Sequence, residues 1–166
     1  MTPILHQAGV IPFRIAGGKV QVLLLTSRDT GRWIIPKGNI NGAVTPAEAA
    51  KLEAFEEAGV KGTITSSIPL GFYTYFKILA SGKTHPATVE VYLLRVLQQF
   101  KKWPEKGERK LAWLTMKKAT RLVQEPGVVP LLLRLKELKD SLAIPEGESS
   151  SEPRPGASFD CCEASD

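Results

Sequence analysis

Three glutamates, Glu53, Glu56 and Glu57, fall at spacings of three and four in one short stretch. At 3.6 residues per turn those spacings gather all three carboxylates on one helical arc about 100° wide. Like charges on neighbouring turns repel, and each such pair costs a helix a few tenths of a kcal/mol. The nearby lysines compensate poorly, because Lys51 points to another side and Lys61 lies past the helix end. A divalent cation would neutralise the cluster. Hard carboxylate oxygens suit Mg²⁺ or Mn²⁺, ions that in turn hold phosphate oxygens. The bland alternative is a solvated acidic face.

The residues around the glutamates punctuate a helix. Thr45 can cap it, Pro46 suits its first position and Glu48 completes a capping box. Gly59 ends it as a left-handed residue. Ala54, Phe55 and Ala58 give it an apolar side, so its carboxylates aim one way. Ahead of it, Pro36-Lys37-Gly38 closes a short apolar run, Trp33–Ile35, and the glycine lets a backbone carbonyl face the start of the acidic cluster. Val10–Ile15 and Val20–Thr26 flank Gly17-Gly18 and read as a hairpin. Phe72–Ile78, Val89–Leu97 and Leu111–Thr115 read as further strands. Met116–Val123 and Val128–Leu142 read as helices, the second with Leu131, Leu132, Leu135 and Leu138 at helical spacing. Strands on both sides of one helix, with helices at the end, predict a mixed α/β (α+β) sandwich.

With 166 residues the chain has room for one domain and a tail. The boundary falls at residue 144: residues 1–144 can pack, while 145–166 are rich in Ser, Pro, Gly and Glu and are expected to be a disordered acidic tail. Six acids and one base lie from Glu146 onward, which leaves 21 bases and 11 acids in residues 1–145. A body so basic suits polyanions: nucleotides, polyphosphates or nucleic acid. No apolar run approaches the roughly 20 residues of a membrane span. Met1–Gln7 lacks the basic and apolar segments of a signal peptide, and the only cysteines are the adjacent Cys161 and Cys162, so the expected location is cytoplasmic.

The stretch Gly38–Val60 resembles the Nudix box, G-x5-E-x7-R-E-U-x-E-E-x-G-U, with U aliphatic. Gly38, Glu53, Ala54, Glu56, Glu57, Gly59 and Val60 stand in register, whereas Val44 replaces the first Glu and Leu52 the Arg. The resemblance extends over about residues 6–140. It takes in Ala8-Gly9-Val10-Ile11, and then Trp103–Lys106, Glu108–Lys110, Trp113 and Ala119, similar to the branch that hydrolyses diphosphoinositol and diadenosine polyphosphates. It implies an α/β/α sandwich around a mixed sheet and Mg²⁺-dependent (or Mn²⁺-dependent) hydrolysis of a diphosphate linkage. Glu53, Glu56 and Glu57 would hold the metal with the carbonyl of Gly38. The missing Glu and Arg usually brace the box through salt bridges, and both are replaced by apolar residues, which leaves no unpaired buried charge.

The general base would be one of the three glutamates or a fourth carboxylate. Glu90 is the leading fourth, an acid in a β-branched strand, with Glu108 the other candidate. Arg28, Arg32 and Lys37 closely precede the helix and, with Lys77, are the expected phosphate grips, Arg109 and Lys110 adding to the same surface. The expected partner is a polyanionic small molecule, with nucleic acid second, no membrane, and a monomer by default. The rival is a degenerate Nudix domain that binds a nucleotide or RNA without cleaving it, as the changes at Val44 and Leu52 suggest.

Overall fold

The computed structural model describes residues 2–142; the expected tail lies outside the described residues. Eight strands form one sheet: β1 (Leu5–Ala16), β2 (Lys19–Thr26), β3 (Trp33–Ile34), β4 (Lys37–Asn39), β5 (Val60–Ile64), β6 (Gly71–Ile78), β7 (Thr84–Gln99) and β8 (Leu111–Thr115). The helices are α1 (Pro46–Ala58), α2 (Met116–Leu122) and α3 (Val128–Leu142). The main strand order is β3-β2-β1-β7-β5, with β4 on β1, β6 on β7 and β8 on β2. Only β1 and β7 pair in parallel, so the sheet is mixed.

Alternating side chains send two sets of residues to opposite faces of the sheet. On one face Ala8, Val10, Leu23, Leu25, Tyr92 and Leu94 meet the alanines of α1. On the other, Ile11, Phe13, Leu24, Val91 and their neighbours meet Leu131, Leu132 and Leu135 of α3. The result is the expected α/β/α sandwich. Beyond the strands read from sequence, β4 and β5 complete the sheet. No helix among the described residues is long and apolar enough to cross a membrane.

The punctuation of α1 forms as expected. The Thr45 hydroxyl accepts from the Glu48 N–H, the Glu48 carboxylate accepts from the Thr45 N–H, and Gly59 adopts φ 67°. No basic residue stands in the last turn. Instead the loop after β7 satisfies its carbonyls: Glu105 N–H donates to Glu56 O at 3.0 Å and Phe100 N–H to Gly59 O at 2.8 Å. Trp103 lies so close over Gly59 that a Cβ there would stand 2.5 Å from its ring.

Candidate active site

Gly38 pairs with Ala8 on β1, and Ala8 pairs with Glu90 on β7. Gly38, Ala8 and Glu90 therefore form one row across the sheet, on the face that α1 covers. The Glu53 carboxylate closes onto this row. A Cβ on Gly38 would stand 2.0 Å from Glu53 Oε1, so only glycine leaves room for it. Glu90 accepts a hydrogen bond from the Tyr92 hydroxyl, two residues along the same face.

Glu57 is buried at 7% exposure and held at both oxygens. Arg109 Nη2 donates to Oε1 at 3.2 Å, and the Lys37 backbone N–H donates to Oε2 at 3.3 Å. Burial is the largest influence on this carboxyl and pushes it up to about 8, although Arg109 and Lys37 pull the other way. Glu53 is also raised, by burial first and then by the charge of Glu56. Glu56 is exposed and makes no ion pair among the described residues.

Among the described residues, no three carboxylates or histidines close on one point tightly enough to enclose an ion. The chemistry of the donor set nevertheless suits a hard divalent cation. Three carboxylates share one end of α1, two of them disfavour their own charge, and Glu56 raises Glu53 through a repulsion that a cation would relieve.

The sequence-expected cations separate into two groups. Arg28 is half exposed and pairs with Glu105 at 3.0 Å and Glu108 at 3.8 Å; Arg32 is exposed on the same loop. Lys77 is part-exposed on β6, and its charge is felt at Glu53. Lys37 is the correction. Its ammonium is turned inward, 2.7 Å from Glu125 Oε1 and 4.8 Å from the ring centre of Tyr75, rather than free to grip phosphate. Burial forces this arrangement, since a lysine with a side chain 6% exposed needs a counter-charge. Glu125, which sequence reasoning missed, also accepts from the Tyr73 hydroxyl.

Arg109 was expected only as part of a basic surface. Its side chain is in fact 8% exposed, and it joins Glu57 to Glu105 and to the carbonyl of Thr26, each at 3.1–3.2 Å. The two departures from the box avoid buried charge, as expected. Val44 packs against the core under α1, and Leu52 is 53% exposed. Both line a groove of about 800 Å³ with Phe55, Leu94 and Pro104, bordered by Glu56.

The Nudix domain family matches residues 5–134. The chain belongs to the Nudix family. It is 34% identical over 114 residues to Nudix hydrolase 12, mitochondrial, of Arabidopsis thaliana, covering 63% of this chain and 52% of that protein. The chain thus spans about half the length of that relative. It is 32% identical over 132 residues to Nudix hydrolase 16, mitochondrial, of the same plant, covering 72% of each. Diphosphoinositol polyphosphate phosphohydrolase 3-beta of Homo sapiens is 27% identical over 120 residues, covering 71% of this chain and 68% of that protein. Among solved structures, the C. elegans Ap4A hydrolase binary complex aligns with TM-score 0.62 at 22% identity, over 83% of this chain and 99% of that one. This last likeness supports the Nudix fold.

Proposed function

We propose that this Nudix protein is a Mg²⁺-dependent hydrolase of a diphosphate linkage in a polyphosphorylated small molecule. A dinucleoside polyphosphate or a diphosphoinositol polyphosphate is the favoured substrate. The observation that carries the reading is the Glu53 carboxylate seated on Gly38, beside the doubly held Glu57. The basic body and relatives named for diphosphoinositol polyphosphates and Ap4A support the substrate class.

Bound Mg²⁺ or Mn²⁺ would supply charge neutralisation for the phosphates, held by Glu53, Glu56, Glu57 and the carbonyl of Gly38. Arg28, Arg32 and Lys77 draw the polyphosphate against the open end of α1. Arg28 does so by exchanging its contacts with Glu105 and Glu108, which exposure makes weak. Glu90 takes the proton from the attacking water, with its carboxylate oriented by the Tyr92 hydroxyl. Water oxygen bonds to phosphorus, the bridging P–O bond breaks, and the pair leaves on the departing phosphate. Two adjacent cysteines as the chain's only thiols support a reducing compartment, the cytoplasm by default.

Product analysis across dinucleoside polyphosphates, diphosphoinositol polyphosphates, ADP-ribose and nucleoside triphosphates with Mg²⁺ tests this. At least one of the first two classes should be cleaved. Glu57→Gln should cut that rate at least about 100-fold, the scale of losing a group that stabilises transition-state charge. Substrate binding should fall much less. The binding-module reading draws on Val44 and Leu52, which stand where the box has its first Glu and its Arg. It requires tight ligand binding with no product from any panel member. Equal rates in wild type and Glu57→Gln would assign the activity to a contaminant.

A further inference from the structure

The Nudix box pattern carries its own brace, a Glu and an Arg, and this chain has Val44 and Leu52 in their places. Neither can bond a carboxylate: Val44 packs on core residues and Leu52 is 53% exposed. Glu57 is nonetheless among the most firmly held side chains of the site.

We propose that Arg109, from the loop before β8, is the positioning residue for Glu57 and braces the box from outside its own helix. One guanidinium makes three bonds there. Nη2 donates to Glu57 Oε1 at 3.2 Å, Nε to Glu105 Oε2 at 3.1 Å and Nη1 to Thr26 O at 3.1 Å. The planar fork makes these directions rigid, which a lysine ammonium could not reproduce. The loop carrying it is itself tied to α1, through Glu105 N–H on Glu56 O and Trp103 against Gly59. Glu105 is tied in turn to Arg28 at 3.0 Å. The guanidinium is 8% exposed and already bonded, so it orients Glu57 and does not reach out to substrate. With Lys37 N–H on the other oxygen, Glu57 is fixed at two points. Losing one leaves the carboxylate able to swing.

This inference rests on Glu57 being a metal ligand, and its test has an arm that needs no turnover. Mn²⁺ binding is titrated by electron paramagnetic resonance in wild type, Arg109→Ala, Arg109→Lys and Glu105→Gln, alongside kcat and KM on whichever panel substrate the wild type cleaves. Arg109→Ala should weaken Mn²⁺ about 10- to 100-fold, the cost typical of lost support behind a metal ligand. It should lower kcat by a similar factor with KM within twofold. Arg109→Lys should recover part of both losses. Glu105→Gln, which keeps size and a hydrogen bond, should move both in the same direction by a smaller factor. It keeps the test open should Arg109→Ala fail to fold.

Unchanged Mn²⁺ affinity in all the folded variants would overturn the proposal, as would tighter binding, which would mark Arg109 as a competing charge. A tenfold rise in KM at constant kcat would assign Arg109 to substrate instead. Wild type that binds Mn²⁺ but cleaves nothing defeats the hydrolase reading alone, and the Mn²⁺ arm still decides this one. Wild type that binds no Mn²⁺ defeats both.

Discussion

The two faces of the sheet are built from different material. Under α1 the helix contributes Ala49, Ala50, Ala54 and Ala58, while across the sheet α3 contributes Leu131, Leu132 and Leu135. Methyl groups bring the α1 backbone close to the strands, close enough for Glu53 to lie on Gly38 and for Glu57 to reach the Lys37 N–H. Leucines fill volume and bury area, at roughly 25 cal/mol per Å². One face fixes where carboxylates sit, and the other supplies stability. The division has an exception in Lys37 and Glu125. This buried pair sits by Tyr73 and Tyr75 of β6, yet the same Lys37 donates its backbone N–H to Glu57.

The sharpest way to break this contrast is to make one change on each face and read both stability and rate. Leu132 is fully buried in the leucine layer. Leu132→Ala should cost about 2–5 kcal/mol of stability, the lost burial plus the cavity left behind. Urea denaturation reads the loss. Because the site lies on the opposite face, KM and kcat below the new transition should stay within twofold. A large rate loss in the folded variant would show that the two layers are coupled.

On the α1 face the order reverses. Gly38→Ala puts a methyl group 2.0 Å from Glu53 Oε1, where the carboxylate must move away from its seat. The displaced group can turn outward, so stability should fall by about 1–2 kcal/mol, the low end of the cost of small-to-large changes. Activity should fall at least about 100-fold, equivalent to roughly 2.7 kcal/mol of transition-state energy. Steady-state kinetics beside a thermal melt separates the two effects. Full activity would mean that Glu53 works from another position.

The contrast also explains what the sequence revealed. The capping box, Pro46 and Gly59 are local signals, and α1 begins and ends where they say. Gly17-Gly18 turns the β1–β2 hairpin, and α3 follows its leucine spacing. Strand β4 escaped because it has three residues, Lys37–Asn39, and β5 because its alternating Val60–Ile64 puts Gly62 at the middle inward position, which breaks the apolar period. The three box glutamates were visible because their spacing is helical. Arg109 and Glu125 were not placed, since they meet Glu57 and Lys37 across 52 and 88 residues. The sole hint for Glu125 was an acid just before Pro126-Gly127, a turn with no reason of its own to bury a charge. Lys37 looked like an exposed cation because a lysine beside a glycine gives no sign of a distant carboxylate.

The smallest expected effect reads the α1 face through its charge. Glu57 is raised to about 8 by burial, from an ordinary value near 4.5. A carboxyl whose folded value lies above its unfolded one binds its proton more tightly when folded. Its contribution is therefore complete below about pH 4.5 and is lost as pH rises through about 8. Between pH 7 and 9 a single group with that value removes on the order of 1 kcal/mol. For a domain of this size that is a fall of a few °C in the thermal midpoint in EDTA. Saturating Mg²⁺ should flatten the fall, because a bound cation favours the ionised carboxylate and releases the proton. Glu57→Gln should abolish it in EDTA, since the amide has nothing to titrate. Leu132→Ala, on the other face, should lower the whole curve and keep its slope. If wild type and Glu57→Gln lose the same midpoint between pH 7 and 9, the proton belongs to another group, and the buried carboxylate does not set the pH response of this face.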